Sequence, residues 1–176
     1  MPSRRTFIVA GLAGGVALTL ATLWRGRDAA PVADPAQEPL ARLGAAAPAI
    51  LAAVIPVMLD GALPQSEAAR REAAAETLAN VGRAVAGLPP AAQDELAELF
   101  ALLGFGPARM LLARVGPPWS QASPAEIEAF LASWRQSGFT LLRSAYDALH
   151  QIIYAAWYGN PRSWSAIGYA GPPKLV

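Results

Sequence analysis

Ser144, Asp147 and His150 gather a hydroxyl, a carboxylate and the sole imidazole of the chain into one short stretch. These are the side-chain types of a hydrolytic triad, in which the carboxylate orients the imidazole and the imidazole takes the proton of the attacking hydroxyl. Their spacing argues against that use. All three fall in one helically periodic segment, where Ser144 and His150 stand about 9 Å apart along the axis and roughly 120° around it, so the hydroxyl cannot reach the ring. Asp147 and His150 share a face and are read as a hydrogen-bonded or solvent-facing contact. The same Asp-x-x-His spacing is half of the ligand set of a di-iron bundle, which needs a second histidine on another helix. Gly104-Phe105-Gly106-Pro107-Ala108-Arg109 begins like a dinucleotide-binding fingerprint, but no strand precedes it and the third glycine is missing. It is read as a helix-to-helix turn. The expectation is a chain without catalytic, cofactor-binding or metal-ligating residues of its own.

Composition narrows the chemistry further. The 176 residues include 14 Lys plus Arg, 13 Asp plus Glu, one His and no Cys. Absence of cysteine excludes a disulfide framework, thiolate zinc sites, a cysteine nucleophile and cysteine-held iron–sulfur clusters. A net charge of +1 gives no electrostatic case for nucleic acid as a partner.

The N-terminal segment reads as an address. Arg4 and Arg5 precede Thr6-Phe7-Ile8, and the run from Phe7 to Trp24 carries no charge. A twin-arginine head on a mildly apolar body is the build of a signal for export of folded proteins, with Arg4, Arg5 and Phe7 as its recognition residues, the competing reading being an ordinary secretory signal that happens to hold two arginines. The apolar run is also about long enough to span a bilayer. Asp28-Ala29-Ala30 and Pro31-Val32-Ala33 are the candidate cleavage regions. The expected organisation is a signal or anchor over 1–28, a Pro/Ala-rich linker over 29–37 with prolines at 31, 35 and 39, and a helical domain over 38–176. Removing residues 1–33 leaves ten basic and twelve acidic side chains.

The elements that must position any site read as helices, and the fold class is all-α: a compact bundle of about five to six helices with an irregular aromatic, Gly/Pro-rich tail. Residues 38–59 predict one buried core helix kinked at Pro48 and Pro56. A second helix over Ser66–Gly87 buries Ala74, Leu78, Val81, Val85 and Leu88. Pro89-Pro90 opens a third, with Leu96, Leu99, Phe100 and Leu103 inward, and Pro107–Val115 forms a further short helix. Ser123-Pro124-Ala125-Glu126 combines a capping serine, a first-turn proline and a capping-box glutamate, so a helix starts there with Ile127, Phe130, Leu131 and Trp134 inward. The last long helix follows Gly138 and buries Phe139, Leu142, Tyr146, Leu149, Ile153 and Trp157. Pro161 starts a last short turn.

Four of the five tryptophans and all four tyrosines occur after residue 115. Trp134, Tyr146 and Trp157 fall on apolar stripes and are expected in the core. Tyr154, Tyr158, Trp164 and Tyr169 sit off the stripe or in the tail, where exposed aromatic residues mark binding surfaces.

Residues 154–173 contain Tyr154, Trp157-Tyr158-Gly159-Asn160-Pro161, Trp164, Ile167-Gly168-Tyr169 and Gly171-Pro172-Pro173. This stretch resembles the C-terminal signature of the small-subunit family typified by gluconate 2-dehydrogenase subunit 3, whose members tend to carry a twin-arginine leader and a Trp-x-x-Ile-Gly-Tyr-x-Gly-Pro ending. Ser133-Trp134-Arg135-Gln136-Ser137 and the apolar segment ending in Ile55-Pro56 are similar to that family as well. The resemblance implies a noncatalytic partner of a flavin-dependent dehydrogenase of the glucose-methanol-choline type, with FAD on the large subunit and the export signal on the small one. Tyr154, Tyr158, Trp164, Ile167 and Tyr169, with the exposed side of the 38–59 helix, are then the expected contact surface.

The export route carries folded cargo, and its common use is for proteins that acquire a cofactor in the cytoplasm. A leader of this type on a chain with no evident cofactor site makes sense if the cargo includes a second polypeptide. The expected location is the periplasm, the expected partners are the dehydrogenase and the twin-arginine translocase, and an uncleaved leader would add the inner membrane. The alternative is a stand-alone periplasmic or inner-membrane-anchored helical protein that binds an apolar ligand.

Overall fold

The computed structural model describes residues 38–171. The export residues Arg4, Arg5 and Phe7, the 29–37 linker and the Pro172-Pro173 ending of the tail motif lie outside the described residues. The fold is all-α, with no strand among the described residues.

The first expected helix is two. A single turn, α1 (Glu38–Ala41), is followed by α2 (Ala47–Met58). Gly44 separates them at φ +91°, a backbone conformation that L side chains rarely adopt. Pro48 therefore falls in the first turn of α2, where a missing N–H costs no helical hydrogen bond. Only Pro56 lies deep inside the helix. The Ala52 residue whose carbonyl it leaves free is exposed, so water can serve that oxygen.

α2 is the centre of the described bundle: Ala47, Ile50, Leu51, Val54 and Ile55 are fully buried. Around it pack α3 (Glu67–Ala86), α4 (Pro90–Gly104), α6 (Pro124–Arg135), α7 (Thr140–Tyr158) and the 3-10 turn Trp119–Gln121. α3 lies along α7, and the buried Asn80 amide donates across to the Ala156 carbonyl at 3.3 Å. The face of α3 turned inward is Ala73, Thr77, Asn80, Val81 and Val85, rotated from the expected stripe; Ala74, Leu78 and Leu88 are half-buried. In a helix this rich in alanine the apolar contrast is weak, and the polar contact of Asn80 helps set the rotation.

α4 and α5 (Gly106–Ala113) meet at an 84° corner around Phe105. Close approach requires glycine at 104, since a Cβ there would lie 2.5 Å from the Ala46 Cβ. α5 starts as an α-turn over Gly106–Ala108 and widens to a π-turn over Arg109–Ala113, shorter than the expected Pro107–Val115 helix. Tertiary bonds hold the wide turn open. The Trp134 indole donates to the Leu112 carbonyl at 2.8 Å, and the Arg109 guanidinium donates to the carbonyls of Val115 and Gly116. Arg114 at φ 58° ends the element.

α6 begins at the predicted capping box. The Ser123 Oγ accepts from the Glu126 amide at 3.3 Å, and the Glu126 carboxylate accepts from the Ser123 amide at 2.9 Å. Its inward residues are Ile127, Phe130, Leu131 and Trp134, as the spacing predicts. Phe130 sits edge-on between Trp119 and Trp134, and the Trp119 indole donates to the Leu103 carbonyl at the end of α4. Phe139 departs from expectation. Its amide is tied to the Ser137 Oγ in extended backbone ahead of α7, so the ring misses the core and is 75% exposed.

Candidate partner-binding surface

The C-terminal aromatic residues are set out by a chain of local bonds. α7 ends at Tyr158, and Asn160 caps the one-turn helix α8 (Pro161–Trp164) by accepting the Arg162 amide at 3.0 Å. Asn160 also accepts the hydroxyl of the buried Ser163 at its carbonyl, 2.8 Å away. Arg162 reaches back to α3, 2.8 Å from Glu72 and 3.5 Å from Glu76. A 3-10 turn over Ser165–Ile167 then ends at Gly168, whose φ of +68° reverses the chain.

Trp164 is the pivot of this arrangement. Its indole donates to the Tyr158 carbonyl at 2.8 Å, its own carbonyl accepts the Tyr169 amide, and the Tyr169 ring packs edge-on against it at 5.2 Å. Gly171, at φ +96°, comes so close that a Cβ would lie 3.0 Å from the Trp164 ring.

Of the five residues expected to meet a partner, Tyr158, Ile167 and Tyr169 present large exposed apolar surface, Ile167 most at 55%. Trp164 and Tyr154 are half-buried and act partly as internal supports. The Tyr154 hydroxyl donates to the Met58 carbonyl at the end of α2, 3.3 Å away. Burial, and then the neighbouring phenols of Tyr158 and Tyr146, push the Tyr154 phenol above its ordinary value.

Tyr154 also belongs to a row of rings on α7. Tyr146, His150, Tyr154 and Tyr158 recur every four residues and form a continuous row of rings along α7. The His150 imidazole stacks on the Tyr154 ring at 4.0 Å, and Tyr146 tilts against it from the other side. Tyr146 is thus half-buried in this row, whereas its apolar stripe predicts the core. Ser144 and Asp147 are both exposed. The four-residue recurrence of ring residues was the available signal.

The expected second contact, on the exposed side of the first apolar segment, corresponds to a shallow groove between α2 and α3 lined by Ala52, Pro56, Arg70, Ala74 and Leu78. Arg70 crosses its end, donating to the Pro56 carbonyl and pairing with Asp60 at 2.7 Å. No protein-family model, curated protein or solved structure matches the chain.

Proposed function

We propose that this chain is a noncatalytic small subunit that binds a flavin-dependent dehydrogenase of the glucose-methanol-choline type in the cytoplasm and escorts it through the twin-arginine translocase to the periplasm. The observation that carries the reading is the ledge of Tyr158, Ile167 and Tyr169. These side chains are exposed while the backbone beneath them is fixed by Trp164, Asn160 and Arg162. Rigid aromatic and aliphatic groups held out from a buttressed turn lose little conformational entropy on binding, which suits them as anchors for a protein partner. The resemblance of residues 154–173 to the small-subunit family supports the same assignment, as does the twin-arginine leader on a chain with one histidine and no cysteine. FAD belongs to the large subunit in this account, and electron relays through thiolate-held clusters lie in other chains.

Two experiments test it. Replacing Arg4 and Arg5 together with Lys is expected to leave dehydrogenase activity in the cytoplasm; undiminished periplasmic activity contradicts escort. Tyr158→Ser with Ile167→Ser is expected to weaken copurification of the large subunit about 30-fold, the loss of one strong anchor. Both side chains are exposed, so helical content is expected to stay at the wild-type level.

A further inference from the structure

We propose that the opposite end of the bundle, bearing Phe105, Met110, Leu111, Leu112, Phe139 and Leu141, seats on an anionic lipid surface. These six side chains are exposed, Leu111, Phe139 and Leu141 by three quarters or more. They come from two segments, the α4–α5 corner with its π-turn and the α6–α7 turn. The Trp134 indole bond to the Leu112 carbonyl ties the two together, and Phe139 follows Trp134 by at most about 17 Å of chain.

Charge selects the occupant. Residues 99–125 contain Arg109 and Arg114, residues 129–146 contain Arg135 and Arg143, and neither stretch contains an acid. The nearest acids along these helices, Glu98 on α4 and Asp147 on α7, lie roughly 10 Å from Phe105 and about 9 Å from Leu141 along the helix axes. Exposed apolar tips whose nearest charged neighbours in sequence are arginines match a surface that is apolar within and negative at its boundary. A second copy pressed face to face would set these arginines against their own equivalents.

Shape points the same way. Met110, Leu111 and Leu112 are consecutive and all exposed, so they leave the turn in different directions around a projecting 84° corner. A shaped protein groove takes a one-sided stripe; a fluid acyl boundary accepts side chains splayed in this manner. No single described helix is long and apolar enough to cross a membrane; α4 and α5 reach that length and apolarity only as a pair bent by 84°, and Leu96, Phe100 and Leu103 of α4 are buried in the core, so the proposed contact is made by the exposed tips. α7 places this end about 27 Å from the Tyr158 ledge, so lipid and a protein partner can be held at once. The inference does not rest on the escort reading.

Because the chain lacks cysteine, Leu111→Cys, Phe139→Cys and, as a distant control on the exposed side of α3, Ala79→Cys each give the full chain one attachment point for an environment-sensitive fluorophore. With vesicles of phosphatidylcholine and phosphatidylglycerol, emission from 111 and 139 is expected to shift to the blue while that from 79 does not. Adding Arg114→Asn and Arg135→Gln is expected to lower the ratio of inserted to uninserted label about 30-fold. Asparagine is chosen at 114 because it tolerates the positive φ there. Vesicles that capture the chain yet leave 111 and 139 unshifted would assign capture to another segment and overturn the proposal. A shift that needs no lipid and grows with protein concentration, or one produced by a protein partner in place of vesicles, would overturn it equally.

Discussion

Glu126 shows how much one side chain carries at the residue scale. The Ser123 amide, and then the Ser123 hydroxyl, hold its carboxyl below the ordinary glutamate value, and Arg70 lowers Asp60 first through a hydrogen bond and then through its charge. A lowered folded-state pKa contributes stability that is present above the unfolded value and lost as pH falls through the folded one. Stability is therefore expected to hold from neutrality to about pH 5 and to decline below about pH 4. Glu126→Gln keeps an acceptor for the Ser123 amide but removes the titration, so its denaturation midpoint should fall less steeply with acid than that of the wild type. Ser123→Ala is expected to cost about 1 kcal/mol in denaturant melts, the usual loss of a serine cap. This capping box was legible because it is built from neighbours in sequence. The stacking of His150 on Tyr154 was not, since a histidine beside Asp147 invites a charged pairing and only the ring geometry reveals the aromatic row.

Among the elements, those with chemical punctuation were readable: α3 after Ser66, α4 after Pro89, α6 after Ser123 and α8 after Asn160. Elements whose form depends on distant bonds were not. The π-turn of α5 relies on an indole twenty-two positions away, and the inward face of α3 is set with a carbonyl on α7. Gly44 divides the first helix by a backbone conformation that an apolar count does not register. Two glycines near helix ends give contrasting expectations. Gly104→Ala forces a Cβ against Ala46 and should destabilise by about 1–2 kcal/mol, overpacking outweighing the gain in helix propensity. Gly87 has a negative φ and only ordinary contacts around the added carbon, so Gly87→Ala should stabilise by about 0.5 kcal/mol. Thermal melts of the two variants, compared side by side, check the assignment.

Across the described domain, periodicity located much of the core: the predicted α6 face is buried, as are Leu96, Phe100 and Leu103 of the predicted α4 face, with Leu99 half-buried, and Trp134 and Trp157 lie inside as expected. It overestimated how many apolar residues turn inward, because a stripe cannot tell a core from an outward tip; Phe139 lies on one and is solvent-facing. The tail residues were legible as a group, while their division into supports and exposed ledge required the indole bond of Trp164. The two exposed apolar regions lie at opposite ends of α7, and the two proposals assign one to a protein partner and the other to lipid. The most direct test of the account is to purify the full tagged chain from its own cells and record the flavin absorbance and mass of what elutes with it. A yellow complex containing one large flavoprotein, lost on Tyr158→Ser with Ile167→Ser, is the predicted result. A colourless chain eluting alone, or one that by itself turns over a substrate, would contradict it.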